Sequence, residues 1–168
     1  YEGAWVAERL SVIEDLLTKD AEAVHPVTRQ IISGGASLTA VDAFRGIYRL
    51  AELNRQAAPL IDEVDMLCVP TIPTFYSVAD LQVDPFTPNS NFGTYTNFVN
   101  LLDMCGIAVP CSPREDGRPG SVTLLARGGQ DAAVAAMADL LHREARVTVG
   151  ATAIPLSSKS LPKAGPLP

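Results

Sequence analysis

Apolar residues recur at helical spacing from residue 2 to residue 19 and stop near Lys19 and Asp20, which predicts an opening amphipathic helix. His25-Pro26 breaks the chain before a short apolar helix, PVTRQII, and the turn Ser33 to Ala36 follows. The next segment, TAVDAFRGIYRLAELNRQAAPLI, is expected to be the longest helix. It carries Val41, Phe44, Ile47 and Ala51 on one face and Asp42, Arg45, Arg49 and Glu52 on the other, and Thr39 with Asp42 forms a capping-box pattern.

Beyond this helix the period changes. MLCVP at 66–70, GIAVPC at 106–111 and SVTLLA at 121–126 are short, nearly uninterrupted apolar runs, the pattern of strands covered on both faces. A long loop rich in proline and asparagine separates the first two and leads into a helix expected at roughly Tyr95 to Met104. A last amphipathic helix is expected over 130–145, with Val134, Met137, Leu140 and Leu141 inward, and from Val147 the chain reads as a linker. Three strands against about five helices give an α/β class, but so short a sheet cannot bury that many helices. The sheet therefore reads as incomplete, and the chain as the later part of a larger domain, an expectation strengthened by a first residue that is not methionine.

Composition narrows the function. A chain of 168 residues with 47% apolar content can bury a sizeable core, and a net charge of −6 disfavours nucleic acid as a partner. The sequence has no uncharged apolar run long enough to span a membrane. Cys68, Cys105 and Cys111 lie inside apolar runs without C-x-x-C spacing, so they are expected to be reduced, core-filling thiols of a cytoplasmic protein.

Candidate chemistry is sparse. At about 100° per residue, Trp5, Val6, Leu10, Val12, Ile13, Leu16 and Leu17 share an arc of roughly 160° with Arg9 near its middle. An inward guanidinium needs an anion, and that anion is a structural carboxylate or a ligand unless the head snorkels past the helix end. SGGAS at 33–37 lacks the lysine and spacing of a phosphate loop and reads as a glycine turn with a helix cap. His25 before a proline and His142 near a helix C-terminus are poor general bases, and no metal-ligand spacing is present.

The segments YEGAWVAERL, HPVTRQIISGGASLTAVDAFRGIYRLAELNR, PFTPNSNFGTYTNFVNLLDMCGIAVPC and GSVTLLA closely resemble the allophanate-hydrolysing branch of the amidase signature family, up to about Ala145. Thr96, Asn100 and, less securely aligned, Gly106 stand for the generic T-x-x-x-N-x-x-G pattern of that family. The resemblance implies an α/β/α fold around a mixed central sheet, and hydrolysis of allophanate (urea-1-carboxylate) to ammonia and carbon dioxide in urea or s-triazine degradation. It implies no metal or organic cofactor, and it favours a homodimer.

In that family a serine attacks the amide carbon, activated through a cis-bonded serine and a lysine. Those residues belong upstream of the matched region, so the chain alone is expected to be inactive. The substrate-carboxylate clamp implied by the resemblance is Tyr1 with Arg9, eight positions apart on one helix, and Thr96 is a weaker candidate for the pocket wall. One departure stands out: where the family usually carries an aromatic beside the last strand, this chain has Pro119-Gly120-Ser121, and looser packing is expected there. The assignment by domain is residues 1–146 to the C-terminal portion of the amidase domain and 147–168 to a linker or tail toward a further C-terminal domain that the resemblance implies. A second reading is a catalytically empty module that binds small carboxylates or pairs with another subunit.

Overall fold

The computed structural model describes residues 3–157, and the chain divides into two compact units between Ala58 and Pro59. In the first unit, helix α1 (Trp5–Lys19) ends where Asp20 leaves helical geometry, although its N–H still donates to Leu16 O at 2.8 Å. A single 3₁₀ turn (Ala21–Ala23) leads to α2 (Pro26–Ser33), with Pro26 in the first turn where its missing N–H costs nothing. A second 3₁₀ turn (Gly34–Ser37) then packs on α1. Gly35 is buried because a Cβ there would meet Val6 O at 2.7 Å and Ala7 Cα at 3.1 Å. The SGGAS segment is thus a packing turn, as its composition indicated.

Helix α3 (Ala40–Asp62) starts from the capping box read in the sequence. Thr39 N and Oγ1 donate to Asp42 Oδ2 at 3.0 and 2.6 Å, and Asp42 N donates to Thr39 Oγ1 at 3.2 Å. Its expected inward face is not the covered one. Val41, Phe44 and Ile47 are exposed, Phe44 to 57%, while Ala43, Gly46 and Leu50 are half-buried about a third of a turn away. Small side chains explain part of this: a Cβ on Gly46 would lie 2.7 Å from Ala4 Cβ.

The second unit holds β1 (Leu67–Pro70), β2 (Met104–Cys111) and β3 (Gly120–Arg127) in the order β1-β3-β2, with both pairings antiparallel. Cross-strand pairs put Val109, Val122, Leu124, Ala126 and Cys105 on one face, and helix α6 (Asp131–Ala145) covers them with Val134 and Ala138. Met137, Leu140 and Leu141, expected inward, are exposed, because the close approach of α6 to β2 is made by smaller side chains. Cover on both faces holds for β3, where Thr123, Leu124, Leu125 and Ala126 are all buried, but not for β2, whose Gly106 and Ala108 are open to solvent on the face away from α6. Cys68 is exposed on the edge strand β1 rather than core-filling, whereas Cys105 and Cys111 are half-buried free thiols. An Arg127–Asp62 ion pair ties β3 to the last turn of α3.

Between β1 and β2 the chain forms two short helices that periodicity did not indicate, α4 (Val78–Val83) and α5 (Thr87–Phe92). The helix expected at Tyr95 to Met104 is instead a run of turns over 93–103, which closes with Met104 N donating to Val99 O at 2.9 Å. The i→i+5 span and the left-handed φ of 51° at Asp103 prevent a regular helix from reaching β2.

Cap carboxylates contribute to the pH dependence of this fold. Hydrogen bonds from the Thr39 side chain hold Asp42 below the ordinary carboxylate range, and those from the Ser77 backbone and side chain do the same for Asp80, which caps α4. Each folded-state pKa lies below its unfolded value, so this stability is complete above the unfolded pKa and disappears as pH falls through the folded one. The melting temperature is expected to fall on acidification below about pH 4. The Asp42→Asn/Asp80→Asn variant should show a shallower fall, as measured by thermal unfolding between pH 7 and 3.

Candidate functional site

The three pattern residues Thr96, Asn100 and Gly106, separated in sequence by a run of turns and a strand start, line one cleft of about 340 Å³ on the open face of the sheet. Val99, Thr123 and Leu125 complete its floor. Leu125 is 1% exposed and presses on Gly106, where a Cβ would come within 2.6 Å of its Cδ2. Glycine at 106 therefore permits the strand to lie flat against Leu125. Thr123, on the same face, donates its hydroxyl to Thr71 Oγ1 at 3.0 Å. The lining offers a hydroxyl and an amide over an apolar floor and contains no acid, base or thiol, so it can position a polar ligand but cannot by itself move a proton.

Arg9 belongs to the first unit, on the second turn of α1, and is half-buried. The covered strip of α1 is narrower than the predicted arc. Val6, Leu10, Ile13 and Leu17 are half-buried, while Val12, at 72% exposure, and Leu16 face out. Trp5 and Ala7 are half-buried as well, so Arg9 lies inside the covered arc, between Trp5 and Ile13. Tyr1, the other half of the expected clamp, lies outside the described residues, as do Lys159 and Lys163 in the expected linker.

His25 precedes Pro26 as the N-cap residue of α2, and His142 places Nε2 3.3 Å from Thr148 O beside the end of α6, so both take structural positions. Sequence spacing gave no hint of a polar joint in the β1–β2 connection. Asn91 Nδ2 donates to the Tyr76 hydroxyl at 2.7 Å, and the Tyr76 ring meets Phe92 edge-on at 5.3 Å. The neighbouring Phe75 lies under the guanidinium groups of Arg114 and Arg118, each 5.6 Å from its ring centroid. Fifteen residues separate Tyr76 from Asn91, and no local pattern signals such a pair. Among the described residues, no helix is long and apolar enough to cross a membrane.

A mixed helix-and-sheet fold with the Thr96/Asn100/Gly106 pattern gathered on one cleft defines a protein class, and the amidase family profile matches residues 5–135. The chain belongs to the amidase family. It is 38% identical over 141 residues to urea amidolyase of Saccharomyces cerevisiae, which covers 83% of this chain and 8% of that protein. It is also similar to the S177A form of Kluyveromyces lactis allophanate hydrolase, at 35% identity and a TM-score of 0.81 over 87% of this chain and 24% of the other. A further amidase structure, 20% identical with a TM-score of 0.60 over 84% of this chain and 33% of its own, shares the fold. The chain thus spans under a tenth of the curated relative and about a quarter of the allophanate hydrolase chain.

Proposed function

We propose that this chain is the specificity-bearing portion of an amidohydrolase that cleaves allophanate to ammonia and carbon dioxide. The observation that carries the reading is the likeness to allophanate hydrolase, 35% identical with a TM-score of 0.81 across 87% of the chain. In this reading Arg9 receives the substrate carboxylate in two parallel charge-assisted hydrogen bonds, with the Tyr1 phenol as a second donor. Thr96, in the second unit, is the further substrate-binding candidate that the resemblance offers. A guanidinium on half-buried helix surface favours an anionic amide over a neutral one, because the anion gains Coulombic and hydrogen-bond energy that the neutral amide lacks. The serine, cis-serine and lysine of the family lie outside the matched segments, so chemistry is supplied by another part of the polypeptide, in a urea- or s-triazine-degrading cytoplasmic enzyme.

The purified 168-residue chain is expected to release no ammonia from allophanate above the uncatalysed blank, while the complete polypeptide releases it and leaves neutral amides largely untouched. Ammonia production by the chain alone would overturn the division of labour. A complete polypeptide that prefers neutral amides would overturn the substrate. The exposed apolar stripe of Phe44, Ile47 and Tyr48 on α3 favours a second reading, a subunit-pairing module without chemistry of its own. Self-association of a complete polypeptide that hydrolyses no amide would select that reading.

A further inference from the structure

The connection between β1 and β2 leaves the sheet at Pro70 and must return Thr96 to the cleft after a long excursion. Its return is fastened at Tyr76. Tyr76, near the start of the excursion, holds Asn91 through its hydroxyl at 2.7 Å and Phe92 through its ring. Both contacts fall on the last turn of α5, immediately before Gly93. The Gly93 carbonyl then accepts the N–H groups of Thr96 at 2.9 Å and Asn97 at 2.8 Å. A side chain at 93 would displace the Asn97 side chain, whose Oδ1 lies 2.0 Å from where a Cβ would stand. Contacts therefore run without a gap from the Tyr76 hydroxyl to the amide that sets the backbone of Thr96. The base of the joint is itself anchored. Phe75 is held under Arg114 and Arg118, and the hydroxyl of Thr71 accepts from the buried Thr123 of β3.

We propose that Tyr76 is a positioning residue: its hydroxyl, acting through Asn91, fixes the start of the 93–103 segment and so places Thr96 at the cleft, tuning substrate binding without touching substrate. The functional half of this inference rests on the reading of the cleft as substrate pocket. A hydroxyl suits the task because it stands at the tip of a rigid ring whose body is packed on Phe92, so the bond has one geometry and little entropy to lose.

The test uses the complete polypeptide. Tyr76→Phe removes one oxygen and keeps the ring contact. Backbone hydrogen exchange at Thr96 and Asn97 is expected to accelerate about fivefold, the worth of one ordinary hydrogen bond, while the amides of β3 stay unchanged. KM for allophanate should rise by a similar factor with kcat within about twofold, since only uniform binding is disturbed. Asn91→Leu should reproduce both effects, and Asn91→Asp, whose carboxylate accepts the Tyr76 proton, should restore the wild-type values. Unchanged exchange at Thr96 in both Tyr76→Phe and Asn91→Leu overturns the positioning role. Faster exchange with an unchanged KM also overturns the proposal, and in that case the fault lies in the reading of the cleft as pocket wall.

Discussion

Replacing Arg9 with methionine in the complete polypeptide is expected to lower kcat/KM for allophanate on the order of a hundredfold, while the slow turnover of a neutral amide such as urea stays within a few-fold. The magnitude follows from the cost of removing one member of a hydrogen-bonded charge pair, about 2–5 kcal/mol, of which the lower half applies at a half-buried site. Methionine is shorter but keeps an unbranched apolar stem, so most of the packing that the Arg9 stem makes on α1 is preserved. Arg9→Lys keeps the charge but not the planar fork, and an intermediate loss is expected. The ratio of the two substrates' kcat/KM values separates specificity from structure. If Arg9→Met lowers the melting temperature and leaves the ratio unchanged, the guanidinium serves the helix and the clamp is wrong. The same substitution should also reduce inhibition by small carboxylates such as malonate, which compete for the same charge.

The elements legible in the sequence are those with local chemistry. Thr39 and Asp42 announced the start of α3, and the same pairing at Ser77 and Asp80 starts α4. The second pair was readable by the same rule, but the surrounding prolines and asparagines drew the whole stretch into a loop. The three strands were found because β-rich apolar runs stand out against helical spacing. Burial was less legible. Continuous apolar character at GIAVPC suggested cover on both faces, yet Gly106 and Ala108 add little side-chain surface to be covered, and α6 protects only the opposite face. The face of α3 followed the same logic: periodicity locates an apolar stripe, but neighbours decide whether it is covered, and Phe44 and Tyr48 pair with each other at 6.3 Å on open surface.

The candidate site divides in the same manner. Thr96, Asn100 and Gly106 form a spaced pattern, and the turns over 93–103 return them to one cleft. Arg9 was visible because a cation among apolar residues is anomalous wherever it falls on the helix. Tyr76 and Asn91 were invisible because their contact depends on the path of two short helices, α4 and α5, that a reading of composition had dissolved. Where long-range geometry creates a polar contact, neither period nor local motif carries the signal.

Position 120 is the first residue of β3. The family resemblance placed a missing aromatic here and implied slack packing, and a cleft of about 620 Å³ does open beside Pro110, Cys111, Pro119 and Gly120. Supplying the ring by Gly120→Phe is nevertheless expected to destabilise the fold by about 3 kcal/mol, the upper end of the range for overpacking. Gly120 is the β3 partner of Cys111, and a Cβ at this position would lie 2.2 Å from Ser112 O, a backbone atom that cannot rotate away. Moving Ser112 would also disturb the turn behind it. There Arg114 N donates to Arg118 O at 2.9 Å, Gly117 adopts a φ of 76°, and both arginines cover Phe75. A ring at 120 would therefore have to displace the Ser112 backbone before it could occupy the cleft. Urea denaturation measures the effect, with Gly120→Ala expected to show much of the same loss because the first carbon already clashes. A raised midpoint for Gly120→Phe would show instead that the hairpin yields and the cleft accepts the ring.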